Sequence, residues 1–261
     1  MTGGSDPPID RQPAGPVLEL RGVSKAFGHV VALDRATLVS NAGEVLALVG
    51  DNGAGKSTLV KILAGVHQMD SGELLIDSQP VQLGGPGHAR QLGIATVFQD
   101  LALVECLDIA ANMYLGRPPR RWGVFVDRPK MISGAADVLQ QLKIRLTSVQ
   151  VPVGALSGGQ RQAVALARAV LQQGRVVLMD EPTAALGVRE TEHVLELVLE
   201  LRSQGAAIIL VSHNLEAVFG VADRIQVMRL GRVQGVRRIK QTNRNEIVGL
   251  ITGAVAADGS V

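Results

Sequence analysis

The run Gly50-Asp51-Asn52-Gly53-Ala54-Gly55-Lys56-Ser57-Thr58 constrains the fold more than any other segment. It follows a short apolar stretch, Glu44–Val49, which reads as a buried strand. It opens onto Ser57–Ala64, where Leu59, Ile62 and Leu63 share one helical face. Strand, glycine-rich turn and helix with Lys-Ser at the junction form the P-loop pattern. Glycines let successive backbone N–H groups turn inward around a polyphosphate. The helix N-terminus adds partial positive charge. Lys56 is placed to reach β- and γ-phosphates, and the Ser57 hydroxyl to ligate Mg²⁺.

Two further strands are predicted, Val176–Met179 ending at Asp180 and Ala206–Val211 ending at Ser212-His213. Helical patterns precede them, Gln160–Leu171 and Glu190–Ser203. This alternation predicts an α/β fold with a mostly parallel sheet and helices on both faces. Such sheets gather their chemistry at the carboxyl ends of the strands. Gly50, Asp180 and His213 all fall at such ends. Asp180 is expected on the Mg²⁺ side. Glu181, a second carboxylate beside it, is expected to polarise an attacking water.

Between Gln99 and Ser157 the pattern changes. Leu101–Leu115 and Ile132–Leu146 read as helices, separated by the proline-rich, charged stretch Arg117–Lys130. This predicts a helical lobe, about residues 100–160, inserted into the sheet domain. The P-loop occurs once, so one nucleotide unit is expected. Met1–Pro16, rich in Gly, Pro and polar residues, reads as a disordered lead-in, residues 17–240 as the domain and 241–261 as a C-terminal tail.

With 46% apolar but only 2% aromatic residues, the core must be aliphatic, and stacking platforms for single-stranded nucleic acid are scarce. A net charge of +2 argues against a general nucleic-acid binder. The basic residues from Arg224 to Arg244 are the best case for one, and they read as a solvated surface or a face toward an acidic membrane. Cys106 is the single cysteine, so no internal disulfide forms, and it reads as a buried thiol in a reducing compartment. Apolar runs fall far short of the ~20 residues that span a bilayer, so membrane association must come through a partner.

Leu156-Ser157-Gly158-Gly159-Gln160 is a second anion-binding helix start, with Ser157 as N-cap. One ATP already has its phosphates cradled at the P-loop. Two incomplete phosphate sites on one chain suggest two chains in a head-to-tail pair, each completing the other's site.

Together these motifs resemble, in order and spacing, the ATPase subunit of ATP-binding cassette (ABC) transporters, from roughly Val17 to Gly235. The resemblance implies a P-loop NTPase core with an N-terminal antiparallel β portion and an inserted helical lobe. It implies ATP and Mg²⁺ as cofactors, Phe27 stacking on adenine, and phosphate contacts from Gly50 through Thr58 and, across the dimer, from Ser157 through Gln160. Gln99 would touch Mg²⁺ or its water, alongside Ser57 and Asp180, and hinge the lobe to the sheet core. His213 would contact the γ-phosphate and position the attacking water that Glu181 polarises. The apolar stretch Leu101, Leu103, Val104, Leu107 and Ile109 would form a docking groove for a permease helix.

One departure stands out: the family's loop usually ends in Leu-Asp, and here Ala184-Ala185-Leu186 is followed by Gly187. This puts communication between the paired sites in doubt, not the chemistry. Phe98–Val104 and Thr183–Glu190 resemble the bacterial sugar importers of the ribose, xylose and fructose class, in their single-cassette form. The chain would then pair with a copy of itself on the cytoplasmic face of the plasma membrane, peripheral to membrane permease subunits. A periplasmic or surface solute-binding protein would select the solute, and no nucleic acid would be involved. The alternatives are a soluble ABC ATPase acting on nucleic acid or the ribosome, and the ATPase subunit of an exporter.

Overall fold

The computed structural model describes residues 16–184 and 186–255. The expected lead-in, apart from Pro16, and the last residues of the tail lie outside the described residues. In chain order the elements are β1 (Leu18–Phe27), β2 (Val30–Ser40), β3 (Val45–Val49), α1 (Lys56–Leu63), β4 (Ser71–Ile76), β5 (Gln79–Pro80), α2 (Pro86–Gln91) and β6 (Ile94–Val97). There follow α3 (Ile109–Met113), β7 (Arg120–Arg121), β8 (Phe125–Val126), α4 (Arg128–Gln141), α5 (Gly158–Leu171) and β9 (Val176–Asp180). The chain continues with α6 (Val188–Ser203), β10 (Ala207–Val211), α7 (Leu215–Val221), β11 (Arg224–Arg229), β12 (Arg232–Arg238) and α8 (Arg244–Thr252).

The central sheet runs β12-β11-β3-β10-β9-β6, parallel except at the β12 edge. Its inner strands are aliphatic throughout because both faces are covered. Val45, Ala47 and Val49 point to one side, with Val177, Met179, Ile208 and Leu210, against α5, α6 and α7. Leu46 and Leu48 point to the other, with Leu178 and Ile209. There they meet α1 and the antiparallel sheet β2-β1-β4-β5. The fold is therefore α/β, with a mostly parallel central sheet and an N-terminal antiparallel sheet. Strand alternation thus builds two cores from one sheet.

Several expectations change. Leu101–Leu115 is not one helix: only Ile109–Met113 is helical. Asp108 caps it, its side chain accepting from Ala111 N–H at 2.8 Å. The fully buried Asn112 amide reaches back to accept from Val104 N–H at 2.7 Å. It also donates to the carbonyls of Val104, Leu107 and Asp108 at 3.0, 3.1 and 3.1 Å. These bonds hold residues 104–108 as a loop. Cys106 consequently lies exposed, not buried. Ile109 is core, Leu101 and Leu103 pack against the core, and Val104 and Leu107 face outward.

The second expected helix is displaced toward the N-terminus, starting at Arg128 under an Asp127 cap and stopping at Gln141. Lys143, at φ +57°, turns the chain so that Leu142 and Ile144 are buried beyond the helix end. Residues set aside as a tail include α8, whose Ile247 and Leu250 are buried in the larger core. Three of the seven cations of the basic stretch are ion-paired within the chain: Arg224 with Glu44, Arg232 with Asp34, and Arg237 with Glu246.

Asn112→Ala should destabilise the chain by about 2–3 kcal/mol, because it strands buried backbone groups. A urea titration measures this, and hydrogen exchange should locate the loosening at residues 104–108.

Candidate functional site

The P-loop is built by close approach as much as by composition. Gly50 has φ +151°, and a Cβ there would stand 2.2 Å from the Met228 carbonyl oxygen. At Gly55, φ +101°, it would stand 2.5 Å from that of Ala32. Glycine alone fits both positions. Gly55 caps α1 without a side-chain bond, so the first-turn N–H groups have no side-chain acceptor at the cap. Such a start attracts anions.

Beside it lies an open cavity of about 480 Å³, lined by Gly50, Asp51, Asn52, Lys56, Ser57, Gln99, Asp180, Glu181, Ala184, Val211 and His213. The Lys56 ammonium is withdrawn into it, donating to the carbonyls of Gly50 at 2.7 Å and Asp51 at 2.9 Å. Burial lowers the Lys56 pKa, opposed by the charges of Glu181, Asp180 and Asp51. Burial raises the Asp180 pKa, helped by Glu181 and opposed by Lys56 and Lys61.

Strand register brings the remaining groups together. Val211 on β10 pairs with Asp180 on β9, so the two strands end level. The Glu181 N–H then donates to the Val211 carbonyl at 3.0 Å. His213 Nδ1 stands 2.8 Å from Glu181 Oε2, with the ring largely exposed and the carboxylate largely covered. Glu181 takes φ +53°, the left-handed region, which costs a non-glycine residue about 1–2 kcal/mol. A strained backbone at a polar cleft is a mark of function. The sequence carries one trace of it: Pro182 denies Glu181 the ordinary right-handed helical region. Ala184 and Val211 also line the cavity, beyond the expected site residues; the position of Val211 at a strand end is the sequence signal for it.

Among the described residues, no cluster of three or more His, Cys, Asp or Glu is arranged to hold a metal by itself. The cavity instead brings the Asp180 carboxylate together with the Ser57 hydroxyl and the Gln99 amide, beside the further carboxylates of Asp51 and Glu181. That set suits Mg²⁺, which takes one or two carboxylates and fills its octahedron with phosphates and water.

Not every expected residue joins this cavity. Gly53, Ala54, Gly55 and Thr58 belong to the loop and helix but do not line it. Phe27 sits partly exposed at the end of β1, edge-on to His67 with ring centres 5.1 Å apart. Ser157–Gln160 also lies off the cavity. There Ser157 and Gln160 form a reciprocal capping box at the start of α5. Gly159 is required by contact, since a Cβ would meet Glu190 Cγ at 2.7 Å. Gly187 caps α6 without a side-chain bond, and a Cβ there would meet Glu190 Oε2 at 2.5 Å.

A family model described as ABC transporter matches residues 33–184. The fructose import ATP-binding protein of Rhizobium meliloti is 46% identical over 246 residues, 92% of this chain and 95% of that protein. The xylose/arabinose import ATP-binding protein of Sulfolobus acidocaldarius is 44% identical over 236 residues, 90% of this chain and 94% of that one. Among solved structures, a nucleotide-free ATP-binding cassette from an ABC transporter superposes with a TM-score of 0.77 at 25% identity, covering 91% of this chain and 95% of the other.

The raised Asp180 pKa has a signed consequence for stability. Its contribution is full below the ordinary value of 3.8 and is lost as pH rises through the folded-state value. Ionised Asp180 therefore weakens the nucleotide-free fold at neutral pH. Asp180→Asn should raise the thermal midpoint at pH 7, with the gain shrinking as pH falls toward 3.8. A series of melts across pH checks this; a lowered midpoint at pH 7 would contradict it.

Proposed function

The chain belongs to the ABC transporter family as an ATP-hydrolysing subunit, and from that premise we propose that it powers import of a small sugar through a separate membrane permease. The observation that carries the chemistry is the convergence of Lys56, Asp180, Glu181 and His213 at the ends of neighbouring parallel strands. In this reading Lys56 leaves the Gly50 and Asp51 carbonyls and neutralises the β- and γ-phosphates. Ser57, Asp180 and Gln99 would hold Mg²⁺, which would supply positive charge against the phosphates. Glu181 draws a proton from the attacking water, and His213, 2.8 Å away, orients that carboxylate and meets the γ-phosphate. Phe27 carries the adenine, with Gly50–Thr58 around the phosphates.

Ser157–Gln160 completes the site of a second copy. Its place off the chain's own cavity and the exposed Ser157 cap at the start of α5 support this. The import direction and the sugar class rest on the fructose and xylose/arabinose relatives. Partners are then a second copy, permease subunits and, through these, a solute-binding protein, with the chain held at the cytoplasmic face of the membrane. No helix among the described residues is long and apolar enough to cross a membrane. Permease contact is proposed where the lobe meets the sheet domain: none of the expected Leu101, Leu103, Val104, Leu107 and Ile109 lines the cavity of about 280 Å³ beside the Gln99 loop, and Phe98, Ala102 and Leu115 do. The half-buried Arg168 guanidinium secures that loop by donating to the carbonyls of Leu101 and Ala102 at 2.8 and 2.9 Å. Internal pairing of the basic stretch weighs against the nucleic-acid alternative.

Lys56 and Glu181 should separate binding from cleavage. Lys56→Ala should weaken ATP binding and turnover together, since the ammonium acts on ground and transition states alike. Glu181→Gln should bind ATP with near-normal affinity and lose turnover by about 10²–10⁴-fold. Calorimetry with a phosphate-release assay reads both; normal turnover in Glu181→Gln would remove Glu181 from this role.

A further inference from the structure

The lobe carries a projection that ATP chemistry leaves unexplained. Directly after Leu115–Gly116, strands β7 and β8 form a hairpin, paired Arg120 to Val126 and Arg121 to Phe125. Asp127 N–H closes its base on the Pro119 carbonyl at 2.8 Å. At its tip Trp122 takes φ +52° and Gly123 φ +77°. A bulky residue in that region is an outlier. The result is a tryptophan 81% exposed, beside Val124 at 73% and Phe125 at 66%. In a chain that is 2% aromatic, this is a costly place for its single tryptophan.

The charge is as uneven as the hydrophobicity. Residues 117–130 hold five cations, Arg117, Arg120, Arg121, Arg128 and Lys130, against the lone carboxylate of Asp127, although the whole chain carries only +2. Asp127 is engaged in capping α4. Arg128 is paired to Asp108, and the Arg121 guanidinium stacks 4.9 Å from the Trp122 ring. Each cross-strand pair joins one arginine to one apolar residue, so cation and hydrophobe share each face of the hairpin. Tryptophan, phenylalanine and arginine also occur at protein interfaces, but the excess of five cations over one carboxylate favours an anionic surface. An interface between water and lipid wants this mixture: tryptophan at headgroup depth, and arginines on anionic phosphates.

We propose that the hairpin at residues 120–126 is a contact for the anionic phospholipid surface beside the permease. The proposal rests on the reading of the chain as a membrane-coupled subunit, because the groove assigned to the permease shares Leu115 and Gly116 with the root of the hairpin. Arginine phosphate contacts hold the tip, and Trp122 and Phe125 enter the headgroup layer. The contact orients the lobe without a lipid anchor.

The test uses the full chain and vesicles without permease, so its outcome is independent of whether the transport reading holds. The chain should float with vesicles of equal parts phosphatidylcholine and phosphatidylglycerol, not with phosphatidylcholine alone. Salt should release it. Trp122 emission, unmixed with any other tryptophan, should shift to the blue on binding. Each exposed arginine removed at the tip should weaken binding roughly fivefold. Arg120→Glu with Arg121→Glu should abolish binding, and Phe125→Ser should weaken it, while ATP turnover of the free chain is kept. Should the double variant melt early, Arg121→Ser and the emission of the unaltered chain carry the test. Absence of phosphatidylglycerol-dependent flotation overturns the proposal. So does flotation with unchanged Trp122 emission, or a blue shift that needs permease or a second copy in place of vesicles.

Discussion

Lys56 holds its ammonium against the carbonyls of Gly50 and Asp51, buried at the carboxyl edge of the central sheet. Around it stand Asp180, whose carboxyl is pushed up by burial, and Glu181, held in the left-handed region. None of these groups is at ease in the free chain. The cation is desolvated, one carboxylate resists ionisation and the other sits on a strained backbone. Stability is given up at one edge of the sheet and recovered in the two aliphatic cores that cover its faces. In the proposed reading, a polyphosphate with Mg²⁺ would supply what the edge lacks: anionic oxygens for Lys56, and a cation for Asp180.

The sheet makes that concentration of charge possible. In β3, β9 and β10 every residue before the strand end is aliphatic and buried, so register is fixed by packing on both faces. Level strand ends then bring Glu181 to His213 with no side-chain contact needed to align them. The same logic dictates the glycines: Gly50 and Gly55 sit where neighbouring backbone leaves no room for a Cβ.

Much of this was legible in the sequence, because strand alternation and the spacing of Gly50–Thr58, Ser157–Gln160 and Asp180-Glu181 carry strong local signals. The strands ending at Val49, Asp180 and Val211 lie where periodicity places them, within a residue or so. Residues 101–108 were not legible. Their apolar spacing suits a helix, but Asn112, a residue with no apolar signal, captures their backbone from one turn inside α3. Exposure of Cys106 follows from that capture. The core role of Ile247 and Leu250 was hidden by a basic stretch whose partners, Glu44 and Asp34, lie far away in sequence. The tip of the hairpin at Trp122 was hidden likewise, since prolines and charges there read as an ordinary loop.

Ser157–Gln160 forms a capped helix start away from the chain's own nucleotide cavity. The central claim is that it belongs to the site of a second copy. Gly187, where the family usually carries an aspartate, leaves the start of α6 without a side-chain cap. Sedimentation of the Glu181→Gln chain with ATP and Mg²⁺ tests this most directly. The account predicts a dimer with ATP, a monomer without it, and a monomer again when Ser157→Arg is added while ATP still binds. A chain that binds ATP and stays monomeric, or a dimer indifferent to Ser157→Arg, would contradict it.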